Sequence, residues 1–225
     1  MLLKNSPKQI NLNQEYQETM KQVLLVTTGG THPSYAARMA LVHTLDQLRN
    51  IVVTHIPSLD QLPEDFIDYD SMVLYFHEDQ ISKAALASLE RFVAEGGGLL
   101  AVHSATASFM TEEVYFEILG GWFKAHGPIS RFTISPVRKS DVFKGIHSFS
   151  VEDELYHHEI CAEITVHFTA KNEDQEIPVV WTHYFGKGRV CYASPGHCPE
   201  TMNHPEYQKL LMQGLQWTTR SSGRS

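Results

Sequence analysis

Residues 96–105 read Gly96-Gly97-Gly98-Leu99-Leu100-Ala101-Val102-His103-Ser104-Ala105. A glycine run, a short apolar run and a polar residue follow one another without a spacer. The apolar run Leu99–Val102 has no polar alternation, the pattern of a strand buried on both faces. The glycines before it supply a left-handed helix cap and a tight turn. They end a helix predicted from Ser82, whose hydroxyl can cap it and in which Leu86, Leu89 and Val93 share one face. After the strand, His103 falls at a sharp turn that resembles a nucleophile elbow. Such an elbow pushes one side chain into a cleft beside free backbone N–H groups.

The same unit recurs toward the N-terminus. Val23-Leu24-Leu25-Val26 is a second apolar run, broken by Thr27-Thr28-Gly29-Gly30-Thr31-His32-Pro33. A helix from about Ser34 to Leu48 follows, with Leu41, Leu45 and Leu48 on one face. Ile51-Val52-Val53 and Ser71–Phe76 read as further strands, and Thr111-Glu112-Glu113 as a helix start with acids at the positive end of its dipole. Strand–helix alternation predicts an α/β protein whose mostly parallel central sheet is covered on both faces. Beyond residue 130 the pattern changes. Phe132–Val137, Ile164–Ala170, Ile177–Tyr184 and Arg189–Ala193 read as additional strands with little helix between them, the last two joined by the turn Gly186-Lys187-Gly188. His204-Pro205 opens a final helix carrying Leu210, Leu211, Leu215 and Trp217. The expected organisation is an N-terminal extension over 1–21, one domain over 22–220 and a tail over 221–225.

Composition narrows the function classes. The chain has 225 residues, 18 Lys plus Arg against 26 Asp plus Glu, and a formal net charge of −8. That balance argues against a nucleic-acid binder and against a polybasic membrane anchor. No segment approaches the roughly 20 apolar residues of a membrane span, and the N-terminus lacks the apolar run of a secretory signal. Cys161, Cys191 and Cys198 form no disulfide framework, so a cytoplasmic location is expected. The unusual count is 13 histidines.

In open α/β sheets, ligands bind beyond the carboxyl ends of the strands. His32 follows the first predicted strand, His77-Glu78-Asp79 the third and His103-Ser104 the fourth. Gly29-Gly30 and Gly96–Gly98 lack the G-x-G-x-x-G dinucleotide pattern. His103 can exchange a proton, ligate a metal, or simply hydrogen-bond the elbow. His126 lies in a glycine-bearing context, as do His183 and His197, while Glu152-Asp153-Glu154-Leu155-Tyr156-His157-His158-Glu159 concentrates acids and imidazoles. His157 and His158 would face opposite ways on a strand, so at most one enters a site. Glu152 and Asp153 are equally well read as a solvated charge run. Trp122, Tyr156 and Trp181 can stack on a sugar face or fill the core.

Taken together, these segments resemble the ThuA-like family, named for trehalose utilisation. The resemblance rests on residues 96–105, on Leu119-Gly120-Gly121-Trp122-Phe123 with His126, and on Asp153-Glu154-Leu155-Tyr156. Pro178-Val179-Val180-Trp181-Thr182, Gly186-Lys187-Gly188-Arg189-Val190 and Gly196-His197 complete it. It implies a flavodoxin-like three-layer sandwich, similar to class I glutamine amidotransferases, and a homodimer. Amidotransferases carry cysteine at the elbow where this chain has His103, so the resemblance does not extend to glutaminase chemistry. The family's His-Pro-Ile near residue 145 is replaced by Asp141-Val142-Phe143-Lys144-Gly145.

The resemblance implies an enzyme acting on a small carbohydrate, trehalose or a related 3-keto disaccharide. His103 is the expected acid/base, with Glu154 its partner and His126 and His197 orienting substrate or stabilising charge. Gly30, His32, His77, Ser104, Trp122, Tyr156, Trp181 and His183 are the expected substrate-binding set. Arg189 is expected to hold the 186–188 turn. Two alternatives stand beside this. One is a metal-dependent hydrolase drawing three ligands for a divalent ion such as zinc from His32, His77, His103, His126 and His183. The other is a non-catalytic sugar-binding or regulatory protein.

Overall fold

The computed structural model describes residues 20–28, 32–137, 139–172 and 175–219. Most of the expected extension and the whole tail lie outside these, as does Gly30. The N-terminal half alternates strand and helix as expected. β1 is Lys21–Val26, α1 Tyr35–Asp46, β2 Ile51–Ile56, β3 Ser71–Leu74, α2 Lys83–Ala94 and β4 Gly98–Val102. The Ser34 and Ser82 hydroxyls cap α1 and α2, accepting from the Ala37 and Ala85 N–H groups at 3.2 and 3.1 Å. A short 3-10 turn over His103–Ala107 follows β4, and α3 spans Glu113–Leu119.

The C-terminal half is richer in strands than periodicity indicates. β5 is Gly121–His126, β6 Ser130–Pro136, β7 Phe149–Asp153 and β8 Tyr156–Ile160. β9 Thr165–Asn172, β10 Gln175–Phe185 and β11 Gly188–Ala193 follow, then the one-turn α4 Pro199–Met202 and α5 Pro205–Thr218. Sequence reading finds neither β5, β7 and β8 nor α4. The three strands are half-polar and carry Lys, His, Glu and Asp, which masks the alternation in β5 and β8 and leaves that of β7 easy to pass over.

The main sheet has nine strands in the order β2-β1-β3-β4-β11-β10-β9-β6-β7. The first five are mutually parallel, and the last four are added antiparallel. β5 and β8 pair antiparallel as a separate two-stranded sheet. The parallel half has the flavodoxin-like order, with β11 recruited from far along the chain as its fifth strand.

Period 2 explains why the apolar runs have no polar partner. In β1, Val23 and Leu25 join the core shared with α1 and α5, whereas Leu24 and Val26 join the core shared with α2 and α3. β4 divides the same way: Leu100 and Val102 go to one face, Leu99 and Ala101 to the other. No helix among the described residues is long and apolar enough to cross a membrane.

Candidate active site

β1, β3, β4 and β11 are consecutive in the sheet and parallel, so their carboxyl ends lie in a row. His32, His77, His103 and His197 each follow one of these ends. Adjacent strands are about 4.8 Å apart, so side chains near such a row of ends come within reach of one another. The His32 ring lies 5.5 Å from His77, 5.1 Å from His103 and 4.9 Å from His197, centre to centre.

The sharp turn at His103 is present, but it does not push the imidazole into the cavity described below. His103 has φ 48°, a left-handed conformation uncommon outside glycine, and no solvent exposure. Its Nδ1–H donates to the Ser194 carbonyl at 2.8 Å. The Tyr192 hydroxyl donates to the His103 carbonyl at 2.9 Å and lies 2.8 Å from Thr106 Oγ1 and 3.0 Å from His158 Nε2. This buried network holds the strained residue in place. His158 is the member of the His157–His158 pair that turns toward the elbow. Burial, with the His103 and His157 charges behind it, pushes its imidazole down to about 3.

Glu154 enters from the β7–β8 connection. Its carboxylate lies 3.3 Å from His197 Nδ1, 3.6 Å from His103 Nε2 and 3.8 Å from His126 Nδ1. Burial pushes the Glu154 carboxyl up, but contact with His103 and the charges of His197, His103 and His126 outweigh it and bring it to about 2. Burial, reinforced by His103 and His197, brings His32 down to about 4. One donor atom from each of His32, His103, Glu154 and His197 lies within 4.8 Å of the others. These four residues could hold a metal ion. His77, His126 and His183 from the expected ligand set do not belong to the group.

The main chain of the loop that carries His197 is held at several points. The Ser194 carbonyl takes His103, the Pro195 carbonyl takes the Tyr207 hydroxyl and the Gly196 carbonyl takes the Tyr75 hydroxyl. The N–H groups of Gly196, His197 and Cys198 all go to the buried Asp153 carboxylate, as does that of Glu154 at 2.8 Å. Asp153 is therefore a clamp rather than part of a solvated run. Phe149, Val151 and Asp153 alternate with exposed or half-buried Ser150 and Glu152, a period-2 signal in the sequence itself.

A cavity of about 520 Å³ opens over this cluster, with His32, His77, Trp122, His126, Glu154 and Tyr156 among its walls. The Tyr156 ring lies 4.3 Å from the His103 ring and stacks on His126 at 5.5 Å. Trp122 contributes from β5, with Lys124 Nζ 4.9 Å from its ring centre. Three expected substrate contacts are elsewhere. Trp181 is fully buried and its Nε1–H donates to the Leu119 carbonyl, while His183 Nε2 is bonded to the Ile118 carbonyl. Both secure the end of α3. Ser104 is fully buried, its hydroxyl has no partner, and it does not line the cavity. Arg189 bonds the Trp217 carbonyl at 3.1 Å and so ties β11 to the end of α5.

A family model described as ThuA, trehalose utilisation, matches residues 22–218. Among solved structures, a ThuA-like protein from Parabacteroides merdae is similar at 17% identity and TM-score 0.77, with 92% of this chain and 93% of that one covered. Cytoplasmic protein STM1381 from Salmonella typhimurium LT2 is similar at 17% identity and TM-score 0.67, covering 89% and 100%. A β-galactosidase from Rahnella sp. R3 is similar at 13% identity and TM-score 0.63, over 89% of this chain but 32% of that one. These likenesses concern the fold. No curated protein matches.

Proposed function

The chain belongs to the ThuA trehalose-utilisation family, and from that premise we propose that it is a carbohydrate-utilisation enzyme acting on trehalose or a related 3-keto disaccharide by proton transfer. The observation that carries this reading is the cavity of about 520 Å³ with aromatic walls and the Glu154 carboxylate among the imidazoles within it. That volume suits a small ligand of this size. The half-exposed Trp122 ring suits the C–H face of a sugar ring.

Roles follow from access. His103 has no exposed surface and does not line the cavity, so it is not the group that meets substrate. His126 does line it, and about a third of its side chain is solvent-accessible. Its Nδ1–H donates to the Gly127 carbonyl at 2.6 Å, leaving Nε2 as the atom that exchanges a proton. His126 is thus the acid/base, Glu154 the fixed charge beside it, and His103 and His197 the groups that hold Glu154. A keto group acidifies the C–H next to it, so proton abstraction there needs only a well-placed base.

The test is incubation with trehalose and its 3-keto derivative in deuterated water, read by mass spectrometry and NMR. The expected result is solvent deuterium at the carbon beside the carbonyl. His126→Ala should be slower by roughly 10²–10⁴-fold, the usual worth of a positioned acid/base. Sugar binding by calorimetry without exchange or product overturns the catalytic reading. So does an unimpaired His126→Ala variant.

A further inference from the structure

We propose that the protein binds a single divalent transition-metal ion between His32, His103, His197 and Glu154. The proposal concerns the same site as the catalytic reading and deepens it, but it does not depend on the sugar. Metal–ligand bonds of about 2.1 Å place tetrahedral donors about 3.4 Å apart. His197 Nδ1 and His103 Nε2 lie 3.3 and 3.6 Å from the same Glu154 oxygen, and all four donor atoms fall within 4.8 Å of one another. Small side-chain shifts close the rest.

Neither nitrogen faces a polar partner other than Glu154. An N–H···O bond is typically about 2.9 Å, so these separations are long for one. His103 Nε2 and His197 Nδ1 are both buried, and neither has a hydrogen-bond partner. Unpaired buried polar atoms are rare and costly, and two aimed at one carboxylate share a single remedy. The tautomer agrees. His103 Nδ1–H is committed to the Ser194 carbonyl, so in the neutral ring Nε2 carries the lone pair. A carbonyl behind the ring is the arrangement that orients metal-bound histidines. Asp153 then fixes both halves of the site, since it holds the main chain of Glu154 and of His197.

Three imidazoles and one carboxylate favour zinc and its neighbours over magnesium or calcium, which take oxygen ligands. Trp122, His126 and His77 stay outside the donor set and leave the cavity side open to a ligand.

The full chain, purified without a histidine tag and stripped with chelator, is titrated calorimetrically with Zn²⁺ and, as control, Mg²⁺. The expected result is one equivalent of Zn²⁺, no saturable Mg²⁺ binding and a raised melting temperature. His197→Ala and Glu154→Gln, shown by circular dichroism to be folded, should each weaken Zn²⁺ by at least about 100-fold, since even outer partners of a ligand are worth roughly 10–100-fold. Co²⁺ should give visible d–d bands in the wild type that change in His197→Ala. Uptake well below one equivalent overturns the proposal, as do folded variants that bind like the wild type or Co²⁺ without nitrogen-ligand bands. Zinc uptake without any disaccharide turnover keeps the metal site and removes the sugar chemistry. Turnover by protein that takes up no metal does the reverse.

Discussion

Asp153 shows how much one side chain can organise. Its two oxygens accept from the N–H groups of Glu154, Gly196, His197 and Cys198 at 2.8–3.4 Å. Asparagine keeps one acceptor oxygen and turns an N–H₂ group toward N–H donors. Asp153→Asn should therefore lose about 2–3 kcal/mol, the range for hydrogen bonds to a charged group. It should also loosen the His197 loop, seen as weaker protection of the 196–198 amides from hydrogen exchange. An unchanged urea midpoint with unchanged protection would refute the clamp. Tyr192 acts on a second residue, His103, whose φ of 48° its hydroxyl helps to hold. Tyr192→Phe should reduce turnover by displacing the elbow, with only about 1 kcal/mol of stability lost. Full turnover in that variant would separate the hydroxyl from the site.

At the scale of elements, Gly96 and Gly98 at the entry to β4 do different jobs. Gly96 has φ 108° and ends α2 in a conformation that disfavours any side chain. Gly98 is needed for proximity. A Cβ there would meet the Thr218 carbonyl oxygen at 2.0 Å, where the end of α5 crosses the start of β4. Backbone cannot yield as a flexible side chain can. Gly98→Ala should cost about 3 kcal/mol or more, at the upper end for overpacking, as measured by urea unfolding. A loss below about 1 kcal/mol would mean that α5 is not pinned there. The run reads as a turn from sequence alone, but the contact behind Gly98 joins residues 120 positions apart.

Over the whole molecule, acid is the expected weak point. His158 on β8 bonds Tyr192 on β11, so it ties the small sheet to the large one. Folded, its imidazole sits at about 3, against 6.5 for an unperturbed group. Between those values the unfolded chain binds a proton that the folded one refuses, so stability falls as pH falls. His32, at about 4, acts the same way below 6.5. Glu154, at about 2, adds a loss below its ordinary 4.5. His158→Gln keeps a donor near the Nε2 position and removes the titration. Its melting temperature should fall less than the wild type's between about pH 6.5 and pH 4. Parallel curves would rule His158 out as a source of the acid sensitivity.

Apolar runs, helix periods, serine caps and glycine punctuation concern neighbours within about four positions, so the parallel half of the sheet and the elbow at His103 were legible in the sequence. So was a row of strand-end histidines, because the carboxyl ends of parallel strands share one edge, while Glu154 was marked by the family resemblance. Membership of the cluster was legible only in part. His197 is brought in because β11 pairs with β4 as well as with its sequence neighbour β10. Trp181 and His183 left it because their polar atoms are needed at the end of α3. His103 is walled off from the cavity and His126 lines it, because exposure belongs to the packed fold and not to a residue's place in a motif. Local chemistry set which groups were available, and long-range chain closure set which of them meet.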